Sequence, residues 1–168
     1  MQNGSKLQGG QALPVRASYT QIAWASGGGL LAILLLAYLA ERLQMPLILG
    51  SFGASCVLIF GFPDSPFSQP RNVIAGHFLA SLVGLMALTL LGAHWWSMAL
   101  ALSATIGLML MTRTVHPPAG SNPLIIMLTL PHWDFLFVPT LLGAMLLVLI
   151  ALVFNNLDKA KSYPKYWF

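Results

Sequence analysis

The sequence predicts an all-α transmembrane fold of four long spans plus two short broken helices, arranged as two inverted three-helix repeats. Three observations lead there. Of 168 residues, 57% are hydrophobic and only 7% charged, with a mean hydropathy of +0.77. A soluble domain carries about 25% charged residues, so lipid must solvate most of this chain. Four stretches, about 22–41, 72–92, 94–112 and 135–155, are apolar for long enough to cross a bilayer core, which takes roughly 20 helical residues. Two other stretches fall short: "PLILGSFGASCVLIFGF", Pro46–Phe62, and "PPAGSNPLIIMLTL", Pro117–Leu130. Each opens on proline, passes through a small Gly/Ser patch and then turns purely apolar.

The first 20 residues form a polar segment with Lys6 and Arg16. The apolar run that follows is longer than the core of a signal peptide and has no small-x-small cleavage site after it, so it is expected to be a retained span. Residues 21–156 then make one transmembrane domain, with repeats over about 22–92 and 94–155, and residues 157–168 a basic and aromatic tail. The single Cys56 excludes an intramolecular disulfide. If all six segments cross, both termini share one side with Arg71 and Arg113, leaving Arg42 alone opposite. The positive-inside rule then places both termini in the cytoplasm, in a bacterial inner (plasma) membrane. The net charge of +4 sits mostly at the chain ends. It reads as an orientation signal, and nucleic acid is not an expected partner.

The second short segment cannot cross as a helix. From Pro123 to Leu130 it has eight residues, about 12 Å. Pro123 suits the first helical position, and Asn122 is a favoured N-cap. Pro117 and Pro118 forbid regular α-helix over His116–Gly120, so an extended descent to mid-depth is expected. Such backbone is tolerated only inside the protein or along a wet cavity. The first short segment reads alike: Pro46–Gly50 descends, Ser51 caps and Phe52–Phe60 is helical. Two helix N-termini would then meet near the midplane, and their free N–H groups favour an anion. The candidate binding residues are Ser51, Gly53, Ser55, Arg113, His116, Pro117, Pro118, Gly120, Ser121 and Asn122, with Gln69, Arg71, Asn72 and His77 lining an entry vestibule. Glu41, Asp64, Asp134 and Asp158 all fall at segment ends, which leaves His77 and His116 as the mid-membrane titrators.

Each of these residues also has a plain structural reading. His116-Pro117-Pro118 would serve as a rigid helix breaker, the serines and Asn122 as caps, and His77 as a packing histidine. Gly76, Ala80 and Gly84 recur every four residues and would let another helix come close. Trp95, Trp96, Trp133, Tyr163, Tyr166 and Trp167 read as interface anchors. His77, His94, His116 and His132 lack metal-ligand spacing, so neither a metal nor another cofactor is expected.

Two stretches resemble the HPP family of integral membrane proteins: "HPPAG" at His116–Gly120, and "GASCVLIFGFPDSPFSQPRNVIAGH" at Gly53–His77, with its Ser-Pro-x-x-Gln-Pro-x-Asn core at Ser65–Asn72. The resemblance covers roughly residues 40–155. It implies a compact multi-pass transporter, and nitrite as the leading substrate, because some relatives in photosynthetic lineages are associated with nitrite transport. One departure is notable. Relatives commonly read Gly-Ala-Thr-Ala where this chain has Gly120-Ser121-Asn122-Pro123. The expected function is therefore membrane transport of a small inorganic anion by a homo-oligomer. A non-transporting scaffold or a passive channel for small solutes are the alternatives. No nucleophile–base–acid set or phosphate loop suggests an enzyme.

Overall fold

A computed structural model describes residues 11–158 and 162–167. Lys6, Lys159 and Lys161, which enter the charge argument, lie outside the described residues. The described chain is helical throughout, with no strand. Its α-helices are α1 (Tyr19–Leu43), α2 (Gly50–Gly61), α3 (Pro70–Leu91), α4 (Trp95–Thr112), α5 (Asn122–Thr129) and α6 (Leu142–Asn155). Among the described residues, four helical stretches are long and apolar enough to cross a membrane: α1, α3, α4 and Trp133–Asn155.

Local chemistry sets the helix ends. Ser18 opens α1 through a capping box with Gln21, satisfying two amides that would otherwise lack partners. Pro70 occupies the first position of α3, where its missing N–H is harmless. Helices α1 and α4 close on Gln44 and Arg113 in the left-handed conformation, at φ 53° and 58°.

The contacts fix the direction of each segment. Trp24 of α1 packs on Phe154 of α6 at 4.7 Å between ring centroids, and Phe60 of α2 meets the same ring at 5.6 Å. The start of α1 and the ends of α2 and α6 therefore lie at one end of the bundle, with the start of α3 beside them. Asn155 Nδ2 donates to Ile59 O at this end (3.1 Å). A cavity of about 900 Å³ opens there between Val15–Ser26 and Phe60–Ser65. From this end α3 runs away and α4 returns, since Arg71 near the start of α3 donates to Thr112 O at the end of α4 (3.0 Å). The following segment descends alongside α3: Gly76 lies against His116, and Gly84 against Pro123 and Ile126. The small-residue face of α3 is thus covered by this chain's own broken segment. A Cβ on Gly76 would stand 2.8 Å from His116 Cβ, and one on Gly84 2.9 Å from Pro123 Cα, so only glycine permits this approach.

Several expectations need correction. His116–Gly120 is not an extended descent. Only His116 is extended (φ −134°, ψ 97°), and Pro117–Ser121 forms a 3-10 turn with proline at its start, because the tighter helix needs no N–H from its first residues. Neither Ser51 nor Asn122 is an N-cap. Leu49 precedes α2 and Ser121 precedes α5, and neither supplies a side-chain bond. The last crossing is not continuous α-helix. Trp133–Leu136 is a 3-10 turn, Phe137–Leu141 a π turn broken at Val138, and regular helix begins only at Leu142. Pro139 removes the N–H a straight helix would need. Tyr163 is not an interface anchor. It is 3% exposed and belongs to the core formed by α1, α2 and α6.

Candidate functional site

Depth follows from helix length. Helix α2 has 12 residues, about 18 Å, so its first turn lies that far from the end of the bundle where it finishes. Asn122 Nδ2 donates to Ser81 Oγ (2.9 Å). Ser81 sits 11 residues into α3, at a depth of about 16 Å. Against a hydrocarbon core about 30 Å thick, the starts of α2 and α5 both lie near the middle. They point in opposite directions, α2 back to the end it shares with the start of α3 and α5 onward to the other. A Cβ added to Gly50 would stand 3.9 Å from Ile125 Cδ1, so the two starts are neighbours.

A polar seam runs through this level. Ser51 and Ser55 come from α2, His77 and Ser81 from successive turns of α3, His116 and Asn122 from the broken segment, and Thr140 from the π turn. None is more than 3% exposed. His116 is held at both nitrogens. Its Nδ1–H donates to Phe67 O (2.7 Å), so Nε2 carries a lone pair and accepts from the Ser55 hydroxyl (2.8 Å). Ser51 O, 3.1 Å from the same hydroxyl, competes for that one proton over the longer distance. His77 Nδ1–H donates to Val73 O (2.8 Å), which leaves its Nε2 as a bare acceptor. The two imidazoles lie 4.9 Å apart, and the Phe52 ring stands 5.1 Å from His77. Ser81 and Thr140 share a 2.9 Å hydrogen bond.

The seam is not fully satisfied. Ser51 Oγ, His77 Nε2 and Asn122 Oδ1 are buried without a hydrogen-bond partner, as is Thr105 Oγ1 on α4. Each such atom costs about 1–3 kcal/mol. Buried polar atoms in native proteins are nearly always paired, so three unpaired ones in one seam, two of them in the first turns of α2 and α5, call for a partner such as water or a bound solute.

The sequence-predicted residues divide. Ser51, Ser55, His77, His116 and Asn122 come together. Gly53 faces outward on α2, with nothing within 4 Å of where its Cβ would be. Arg113 is exposed at the end of α4, well short of the seam. Gly120, Ser121 and Pro117 line an apolar groove of about 470 Å³ on the α4 side, with Leu102, Ile106 and Leu124. Pro118 accepts from Ser121 Oγ through its carbonyl (2.8 Å) and shapes the turn. Of the residues expected at a vestibule, His77 joins the seam, while Gln69, Arg71 and Asn72 hold loop backbone. Gln69 is fully buried and donates to Pro63 O and Ser65 O at 2.9 Å each. Asn72 donates to Val115 O at 2.9 Å, beside Arg71 on Thr112. Among the described residues no three His, Cys, Asp or Glu side chains gather as metal ligands would.

Sequence reasoning missed Ser81 and Thr140. The signals were present: Ser81 lies one turn after His77 on the small-residue face, and Thr140 follows the lone proline of the last span. It also missed the tail. Tyr163 OH donates to Ser68 O (2.8 Å), Lys165 N donates to Gln69 Oε1 (2.7 Å), and Tyr166 OH reaches Pro66 O (3.2 Å). The tail thereby grips the loop whose Phe67 carbonyl orients His116.

Four membrane-length apolar helices around a buried polar seam define a multi-pass integral membrane protein. Its sequence matches the family described as "HPP, transmembrane region" over residues 14–164, and the chain belongs to that family. Two Dictyostelium discoideum proteins, each named a transmembrane protein, are similar. One is 44% identical over 159 residues, 88% of this chain and 56% of its own length; the other is 38% identical over 174 residues, 96% and 56% respectively. The chain thus spans about half the length of these relatives. No solved structure matches.

Proposed function

We propose that the protein carries a small inorganic anion across the membrane, with nitrite the leading candidate through its family. The observation that carries this reading is the pair of helix N-termini, α2 and α5, meeting at mid-depth beside the buried Ser51 hydroxyl, which lacks a partner and can donate. A helix start offers about half a positive charge; at α5 the Asn122 N–H already donates to Ala119 O and Pro123 has none, so the free backbone donors come from the start of α2. Ser51 adds a hydroxyl and Asn122 an amide at the first turns of the two helices. Together these groups replace part of the water shell that an anion sheds on entering the bilayer. Broken helices with opposed starts are the arrangement by which inverted repeats build a substrate site, and rocking of one half against the other would expose it alternately. Cytoplasmic placement of both termini follows from the positive charges of the sequence.

The test is flux. Purified protein in liposomes is expected to take up sodium nitrite saturably. Ser51→Ala and Asn122→Ala should each lower uptake roughly tenfold, the loss of one or two hydrogen bonds to a charged ligand. A correctly folded protein that moves neither nitrite, nitrate, chloride nor formate would remove the proposal.

A further inference from the structure

The unpaired atoms of the seam say more about what must accompany the anion. Two of them, His77 Nε2 and Asn122 Oδ1, are acceptors, and the third, Ser51 Oγ, can donate or accept. A bare anion would offer these acceptors nothing. Among the described residues it would also meet no fixed cation. Arg71 and Arg113 lie at one end of the bundle, half-buried and exposed, and Asp134 is exposed at the other. Among the described residues the buried titratable side chains near His77 are His116, Cys56 and Tyr163; both nitrogens of His116 are already engaged and the Tyr163 hydroxyl donates to Ser68 O. An uncompensated charge at mid-membrane is costly, and the site needs a countercharge that can travel. Among the described residues His77 Nε2 is the one titratable nitrogen at that depth without a hydrogen-bond partner, and the Phe52 ring packs against it at 5.1 Å between centroids.

We infer that His77 carries a proton on Nε2 together with the anion, so that the two cross as a neutral pair. This deepens the anion-transport reading and rests on it. The proton enters onto the Nε2 lone pair as the anion settles at the helix starts, and both leave on the far side. The Nδ1–H bond to Val73 O holds the ring in place in either state. Ser81, one turn further on, keeps Asn122 oriented through its 2.9 Å bond.

The experiment uses the full chain in liposomes loaded with a fluorescent pH dye, with sodium nitrite outside and empty liposomes as background. An acid-outside gradient is expected to drive nitrite accumulation, with one proton entering per nitrite and no net current on a supported membrane. His77→Asn keeps an amide N–H for Val73 O but removes the second nitrogen. It should lower gradient-driven accumulation roughly tenfold, within the usual span of coupling between two ligands, and leave a residual flux that carries current. Nitrite uptake by the unaltered protein that carries current and ignores the pH gradient overturns the proton role and leaves anion transport standing. No protein-dependent nitrite uptake at any gradient overturns both. Because the unaltered protein gives the deciding readout, misfolding of the His77 variant does not rescue the idea.

Discussion

Replacing Gly76 with alanine should loosen the seam from behind. The added Cβ would stand 2.8 Å from His116 Cβ and 3.0 Å from Thr114 O. Carbon atoms pack at about 3.5–4.0 Å, so His116 must retreat by about 0.7 Å. That displacement pulls on two bonds of 2.7 and 2.8 Å, to Phe67 O and Ser55 Oγ, and stretches each toward the length at which it stops counting as a hydrogen bond. Overpacking costs about 1–3 kcal/mol, and each neutral bond lost about 0.5–1.5 kcal/mol. Alanine returns about 1 kcal/mol of helix propensity. Central values leave about 3 kcal/mol of net loss, or roughly 6–12 °C in midpoint for a chain of this size. Tryptophan fluorescence during heating in detergent, at one fixed scan rate, measures it. Gly53→Ala is the control. Its Cβ meets nothing within 4 Å, so it should hold or raise the midpoint by a few degrees. If Gly76→Ala melts with the unaltered protein, the broken segment does not lie against α3 as described.

Three further outcomes follow from the same geometry. Tyr163→Phe leaves Ser68 O without its 2.8 Å donor in the core and should cost about 1–2 kcal/mol by the same melting assay. Burial also holds the Tyr163 phenol above its ordinary value. The unfolded chain ionises first, so stability should fall as the pH rises past about 10, less steeply in Tyr163→Phe; equal slopes would contradict the burial. Lys165→Ala breaks a 3.0 Å pair with Asp64 whose side chains are 43% and 77% exposed, and a midpoint change above about 2 °C would refute its classification as a surface pair. Single cysteines introduced at positions 64, 113 and 167 should react with an impermeant maleimide from one side only, and one at position 91 from the other. Mixed labelling of the first group would break the assignment of segment directions.

Much of this protein was legible in its sequence. Four apolar runs, three of them bounded by proline or tryptophan, mark the crossings because lipid admits no unpaired backbone. The prolines of Pro46 and Pro117-Pro118 mark the breaks because they cannot continue an α-helix. Ser51, Ser55, His116 and Asn122 stand out as polar residues in apolar surroundings, and the fold brings them together. Other assignments failed where the answer depends on which way a side chain faces. Gly53 lies between Ser51 and Ser55 yet outside the seam, since two residues' difference along a helix turns a side chain about 200°, and Arg113 lies outside it because it closes α4 at the end of the bundle. Tyr163 and Gln69 look like boundary residues and are buried, because the tail returns across the helix ends and supplies partners from nearly 100 positions away.

The solvent, the number of long spans and the places where helices must break can be read from the residues alone, since they follow from hydropathy and proline chemistry one segment at a time. Which polar atoms share the middle of the bilayer, and which are left unpaired, emerges only once the chain is folded. That depends on glycines at Gly76 and Gly84 bringing the broken segment onto α3, and on a tail that braces the loop above His116. Both are contacts between residues far apart in the chain, and no local pattern encodes them.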